Sequence, residues 1–190
     1  MIAKTRHFIP RNSNTLLSIY YSIFSSLMTY GCQVWGLTDS KFVKKIQVLQ
    51  NNALRLITFA DSFRDHVSHL YKHLNILKFR DFVSLQNMLF VHDYFNDKLP
   101  KCFSDYFTLS SETHDHLTRY AVDGHIAVPA TNSERYGRKS FQVQCILTWN
   151  NLSGLLPDKQ FINMSRSGLK KLLTNHFINN YSQSTLIDNS

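Results

Sequence analysis

The chain is poor in cysteine, glycine and proline, and these shortages exclude several classes of protein. Its 190 residues include 3 cysteines, 6 glycines and 4 prolines, and 43% of the residues are hydrophobic. This composition excludes a collagen-like, low-complexity or mostly disordered chain. The cysteines, Cys32, Cys102 and Cys145, are odd in number and far apart, which argues against a disulfide framework or a zinc site. We therefore expect a globular chain with reduced thiols.

Long apolar runs are also missing. The richest stretch, Leu16 to Met28, is interrupted by four serines and is shorter than the roughly 20 apolar residues that a membrane span needs. The first eleven residues are basic and lack the apolar run of a secretory signal. The sequence therefore predicts an intracellular protein, nuclear or cytoplasmic, that has no membrane partner and is not secreted.

Motifs for catalysis are absent from the sequence. There is no adjacent Asp-Asp pair, no Gly-x-Ser-x-Gly motif and no glycine loop that could cradle a phosphate. Polymerases and nucleases need clustered carboxylates to hold divalent ions, so the sequence predicts no catalytic centre, metal or cofactor. His66, His69 and His73 could face one way on a helix and bind zinc or copper. A polar helix surface is the favoured interpretation, because no acidic or thiol ligand completes the set.

Acidic residues are scarce in the N-terminal third. Residues 1–60 carry 7 basic side chains and 1 acidic side chain, a net charge of +6, whereas the whole chain has a formal net charge of +8. A phosphate-rich partner would be attracted to this region, although a solvated basic surface explains the charge equally well. Basic residues alternate with aromatic ones near Arg6 and near Arg138. The pattern fits a nucleic-acid site, in which the cations bind phosphates and the rings stack on bases. It fits equally well aromatic side chains that pack in the core beside exposed charges.

Apolar spacing of three and four residues predicts a mainly α-helical fold, a bundle of four to five helices followed by a C-terminal helix. The second helix, from Asp39 or Ser40 to about Phe59, has the clearest amphipathic pattern. Its predicted buried line runs through Phe42, Ile46, Leu49, Ala53 and either Leu56 or Ile57. Predicted helices cover residues 14–30, 40–59, 66–74, 79–96 and 167–181, a capping box is predicted at residues 62–65, and residues 141–152 fit either a strand or a helix.

Composition changes after Ser110, where Ser, Thr, Asn, Gly and charged residues become frequent. We therefore predict a helical region over residues 1–108, a C-terminal lobe over 109–183 and a frayed tail over 184–190. Asp123-Gly124 is a typical tight-turn pair, and it predicts a small hairpin or extended segment within residues 118–145.

Several blocks, taken in order, resemble the region that follows the polymerase core in non-LTR retrotransposon reverse transcriptases of the LINE type, in particular jockey-like elements. The resemblance covers residues 2–181. The blocks are Leu16–Ile23, Leu27–Gly31, Val34–Gly36, Leu49–Ile57, Arg64–His66, Leu74–Lys78, Leu99–Pro100, Phe103–Phe107, His114–Arg119, Thr131–Asn132, Gly137–Phe141, Trp149–Leu152 and Leu169–Leu173.

The resemblance implies a thumb and post-thumb segment of an RNA-directed DNA polymerase. The catalytic palm and the endonuclease would then lie upstream of Met1, so we expect this segment to have no catalytic activity of its own. In such an enzyme, helices beyond the palm hold the template–primer duplex by its backbone, which positions the duplex without reading its sequence. The predicted contacts to RNA or DNA are Lys4, Arg6, Arg11, Lys41, Lys44, Lys45, Arg55, Arg119, Arg138 and Lys139.

An alternative is a helical interaction module, or an inert relic of a retrotransposon, whose basic residues only increase solubility. The resemblance implies that a palm-facing apolar surface would be exposed, with Ile19, Ile23 and Phe24 in it, and such a surface would favour self-association.

Overall fold

The computed structural model describes residues 14–36, 40–60, 67–113, 124–153 and 160–181. These residues are mainly helical, as the apolar spacing predicts. Helix α1 comprises three consecutive segments, Thr15–Ile19, a π-helical turn Tyr20–Ser25 and Ser26–Thr29. The other helices are α2 (Cys32–Trp35), α3 (Ser40–Ile57), α4 (Ser68–Leu74), α5 (Phe79–Phe95), α6 (Ser110–Thr113), α7 (Phe141–Ser153), α8 (Gln160–Asn163) and α9 (Arg166–Asn180). A 3₁₀ turn at Lys101–Phe103 and a π-helical turn at Glu134–Arg138 complete the helical elements.

The described residues form two compact units. The first unit contains the described parts of Met1–Phe82 and Thr174–Ser190, and the second contains those of Val83–Leu173. The first unit is therefore built from two segments of the chain that lie far apart in sequence. The predicted division into a helical region up to residue 108 and a C-terminal lobe from residue 109 stays a prediction.

In the first unit, α1, α3, α4 and the start of α5 supply the core. Leu16, Tyr20, Leu54, Tyr71 and Phe79 are almost completely buried. Gly31 lies between α1 and α2 with a φ of 61°, a left-handed conformation that residues with a Cβ rarely adopt. The turn brings Trp35 onto Phe79, with ring centroids 5.1 Å apart, and lets its Nε1 donate to the Tyr30 carbonyl at 2.6 Å. Trp35 is thus half-buried and packs against the first residue of α5.

The buried face of α3 agrees with the predicted one only in its second half, where Ala53 and Ile57 are buried as predicted. Val43, Gln50 and Leu54 are buried, whereas Phe42 is 60% exposed and Leu49 is 58% exposed. In the first half of α3 the buried residues are thus displaced by one position from the predicted line, or about 100° around the helix, with Val43 in place of Phe42 and Gln50 in place of Leu49. There the prediction was wrong because it assigned burial only to apolar residues, and the buried position at the centre of α3 is held by a glutamine.

In the second unit, the segment around Ile126 is extended, and Ile126 forms an isolated antiparallel bridge with Leu109. Asn150 of α7 holds the same residue: its Nδ2 donates to the Ile126 carbonyl, and its Oδ1 accepts from the Ile126 amide, both at 2.9 Å. Residues 118–123 of the predicted hairpin lie outside the described residues. The ambiguous segment at 141–152 is helical.

A glycine in the second unit allows a close approach between two turns. A Cβ on Gly137 would lie 2.5 Å from the Thr131 Cβ, closer than side-chain atoms can approach. Ser140 then precedes α7, and its carbonyl accepts from the Gln144 amide at 3.0 Å. The blocks Thr131–Asn132 and Gly137–Phe141, which carry part of the resemblance, thus meet through the close approach of Gly137 to Thr131 just before α7.

The predicted capping box at residues 62–65 lies outside the described residues. None of the helices in the described part of the chain combines the length and apolar character of a membrane-spanning segment.

Candidate nucleic-acid interface

Helix α3 carries an exposed basic surface. Lys41, Lys44 and Lys45 are exposed, and they lie on the side of the helix opposite to the buried Val43, Gln50 and Leu54. The 18 residues of α3 include no aspartate or glutamate. An exposed surface with three ammonium groups and no carboxylate on its own helix produces a local positive potential, which is the electrostatic requirement for contact with a polyanion.

Arg55, the fourth predicted contact on α3, is less exposed than the lysines. It lies eleven residues beyond Lys44, or about 16 Å along the helix axis. Its Nη1 donates to Asn52 Oδ1 at 3.3 Å, and its positive charge acts on the Tyr71 hydroxyl, whose pKa it lowers. Burial outweighs this effect and raises the pKa of Tyr71. Arg55 therefore acts on Tyr71 through its charge and is the least exposed of the four basic residues on α3.

The remaining predicted contacts do not join this surface in the described structure. Arg138 and Lys139 are exposed in the second unit, at the end of the π-helical turn before α7. Lys4, Arg6, Arg11 and Arg119 lie outside the described residues. The structure thus brings together Lys41, Lys44, Lys45 and Arg55 on one helix.

Apolar side chains accompany the lysines. Phe42, Val48 and Leu49 are exposed on α3, and the Lys45 Nζ lies 5.8 Å from the centroid of the Phe42 ring. On α1 and α2, Leu27, Tyr30 and Val34 are exposed. Of the apolar residues predicted to form an exposed patch, Ile23 is exposed, while Ile19 and Phe24 are half-buried and Phe24 stacks on Tyr20 at 5.4 Å.

Gln50, which lies within the block Leu49–Ile57, forms a polar junction at the centre of the first unit. Its side-chain Nε2 donates to the Tyr20 hydroxyl at 3.1 Å and to the Leu77 carbonyl at 2.9 Å, and its Oε1 accepts from the Phe79 amide at 3.0 Å. The side chain is 1% exposed. It thereby joins α1, the turn after α4 and the first turn of α5, so this block contributes to the core of the first unit and also contains Arg55.

Two further basic residues, Lys78 and Arg80, flank the start of α5 and are absent from the predicted contacts. They line a cavity of about 440 Å³ together with Asp81 and Tyr181. The signal in the sequence is the alternation Lys78-Phe79-Arg80, which places two cations around one buried aromatic ring. Sequence reasoning missed it because residues 61–110 have equal numbers of acidic and basic residues.

The histidines predicted as alternative metal ligands do not form a described site. His69 and His73 are exposed on α4, and His66 lies outside the described residues. Among the residues that the structure describes, no three His, Cys, Asp or Glu side chains come together in a group that could hold a metal ion.

These features define a mainly helical protein with a basic helix surface in its first unit. One relative is the protein described as "Probable RNA-directed DNA polymerase from transposon X-element" of Drosophila melanogaster, which is 45% identical to this chain over 47 residues. The match covers 25% of this chain and 5% of that protein. No family model matches the chain, and no solved structure matches it.

Over a quarter of its length, the chain is thus related to a transposon reverse transcriptase. This finding confirms the coarse part of the predicted resemblance. The jockey-like type and the location in the C-terminal region of such an enzyme stay predictions.

Proposed function

We propose that this chain is a helical, non-catalytic segment of a LINE-like RNA-directed DNA polymerase, and that it binds the phosphate backbone of a template–primer duplex through α3. The carboxylate-free row of Lys41, Lys44 and Lys45 is the observation that carries the proposal. The similarity to a transposon reverse transcriptase supports the same role, because that class of enzyme must hold a nucleic-acid duplex while it copies.

The geometry favours contact with the backbone rather than with the bases. Lysine ammonium groups bind phosphate as point charges, and phosphate contacts carry no sequence information. The stretch from Lys44 to Arg55 spans about 16 Å, which corresponds to about five phosphates along one strand at 3.4 Å per phosphate. We therefore expect little preference for sequence and a strong dependence on salt.

The test is a salt titration of binding to a 20-base-pair RNA–DNA hybrid, followed by fluorescence anisotropy. Each phosphate contact contributes about 0.7 to 0.9 to the slope of log K against log salt. The triple variant K41Q/K44Q/K45Q is expected to lower the slope by about 2 to 3. A matched control, K98Q/K101Q/K170Q, removes three exposed lysines that lie outside α3.

Equal slopes for the α3 variant and the control would show that α3 is not the binding surface. An affinity that does not weaken as salt rises would contradict backbone binding altogether. Self-association through the exposed apolar residues is the alternative, and it stays a prediction that sedimentation of the same samples would measure.

A further inference from the structure

The first unit contains a cavity, lined mostly by residues with polar or charged side chains, that the proposed function leaves unexplained. Its volume is about 440 Å³, within the range of small-molecule sites. Four elements form its wall: α3, the start of α4, the start of α5 and the end of α9. The lining residues are Gln47, Asn51, Val67, Ser68, Lys78, Arg80, Asp81, Asn180 and Tyr181.

Several polar atoms of the lining are engaged within the fold. Gln47 Nε2 donates to the Tyr71 hydroxyl at 2.6 Å, and Gln47 Oε1 accepts from the Phe79 amide at 3.1 Å. The Tyr181 hydroxyl donates to Asp81 Oδ2 at 2.5 Å and accepts from the Lys78 amide at 2.9 Å. These bonds fix the wall of the cavity, so the groups that remain are held in defined positions.

The groups that remain are mainly hydrogen-bond donors. Lys78 Nζ lies 4.6 Å from the centroid of the Tyr181 ring and 3.5 Å from Ser68 Oγ, which positions its positive charge at the wall. Among the described residues, no carboxylate lies within 4.0 Å of Lys78 Nζ or of the Arg80 guanidinium. Asn51 Oδ1 is occupied by Gln47 and Tyr71, and its Nδ2 has no acceptor in the same part of the chain.

Asp81 is the carboxyl group of the lining. Burial raises its pKa, and this effect outweighs the Tyr181 hydrogen bond and the charges of Lys78, Arg80 and His176, all of which lower the pKa. Lys78 and Arg80 thus do not offset the effect of burial on the pKa of Asp81, as cations in close ion pairs with it would. Lys78 and Arg80 against Asp81 leave a net charge of +1 at the cavity, which favours an anion rich in hydrogen-bond acceptors.

We propose that this cavity binds a phosphate monoester, held by Lys78, Arg80 and the donors of Ser68 and Asn51. Two sources of this chemistry exist: the terminal phosphate of a nucleic-acid strand and a free nucleoside monophosphate. The cavity lacks the exposed lysines of α3, so the inference does not rest on the proposed function.

The experiment compares a single-stranded 12-nucleotide RNA that carries a 5′-phosphate with the same RNA that carries a 5′-hydroxyl, using the full chain. We expect the phosphorylated strand to bind roughly five- to tenfold more tightly, because hydrogen bonds to charged groups are the stronger ones. The variants R80Q and K78M should each reduce this difference, whereas D81N should increase it, since it removes a negative charge and keeps an acceptor for Tyr181.

Competition identifies the source of the phosphate. The cavity accepts free nucleotides if adenosine monophosphate displaces the phosphorylated strand, or if it binds alone with an affinity that R80Q lowers. The ligand is a strand end if R80Q lowers the affinity for the phosphorylated strand only. Equal binding of the two strands, together with no R80Q-sensitive binding of adenosine monophosphate, would overturn the inference. Arg80 is exposed, so R80Q keeps the test valid if K78M impairs folding.

The control K45Q separates the two proposals. It should weaken both strands equally if α3 binds the backbone, and it should leave the ratio between them unchanged. If K45Q has no effect while the phosphorylated strand still binds more tightly than the hydroxyl strand, the α3 proposal alone is contradicted. If K45Q weakens binding but the two strands bind equally, the cavity proposal alone is contradicted.

Discussion

Replacing Gln50 by leucine is expected to destabilise the first unit strongly. The substitution keeps the approximate size of the side chain and removes four hydrogen bonds, to the Tyr20 hydroxyl, the Leu77 carbonyl, the Phe79 amide and Gln47. The Phe79 amide retains Gln47 Oε1 at 3.1 Å as an acceptor. The Leu77 carbonyl and the Tyr20 hydroxyl lose their bonds to Gln50 in a buried setting.

The expected loss is about 2 to 4 kcal/mol, since each buried polar group left without a partner costs about 1 to 3 kcal/mol and leucine recovers part of this through apolar burial. Urea denaturation followed by circular dichroism measures the free energy of unfolding. A double-mutant cycle with Y20F isolates the Gln50–Tyr20 bond, for which we expect a coupling of about 1 kcal/mol.

Q33L serves as a control, because Gln33 lies on the short helix α2 outside the Gln50 junction and is not fully buried. A loss for Q50L below about 1 kcal/mol, or equal to that of Q33L, would refute the view that Gln50 organises the first unit. Zero coupling with Y20F would refute the assigned bond.

Two further predictions concern a glycine and a buried carboxyl group. G137A should destabilise the second unit by about 1 to 3 kcal/mol in urea denaturation, because its Cβ would lie 2.5 Å from Thr131 Cβ. Adding T131G removes the clashing atoms and should reverse much of this loss. Destabilisation that persists in the double variant would point to another cause. Burial raises the pKa of Asp81 above its ordinary value of 3.8. The folded state is therefore more stable when this carboxyl group is protonated than when it is ionised. That stability is fully present below pH 3.8 and is lost as the pH rises through the raised pKa of the folded state. D81N should therefore raise Tm at pH 7, with a gain that shrinks as the pH falls toward 3.8, and a gain that is independent of pH would contradict this reasoning.

The sequence predicts the helices well because apolar spacing determines which segments can bury a face. It failed on the face of α3, where a periodic pattern favoured Phe42 and Leu49 over Gln50. Burial of this glutamine is favourable because its amide meets partners from α1, from the turn after α4 and from α5, and those partners are set by tertiary structure. The same reason hid the cavity: Lys78 and Tyr181 are 103 residues apart in sequence, and no local pattern connects them.

The basic surface was easier to predict than the cavity. Lys41, Lys44 and Lys45 are close in sequence and carry no opposing charge on their helix, so local spacing was sufficient. Arg138 and Lys139 belong to the second unit, and a net charge summed along the chain cannot distinguish one unit from the other.

The first unit requires Tyr181, whose hydroxyl bonds to the Lys78 amide across 103 residues. At a synthesis rate of about 5 to 20 residues per second, the ribosome needs about 5 to 20 seconds to travel from one partner to the other. During this interval the N-terminal end of α5 has been synthesised, but Tyr181, whose ring and hydroxyl contact it in the folded unit, has not. Nascent chains that stall before residue 181 should therefore be digested by protease at the α4–α5 turn, whereas released chains should resist.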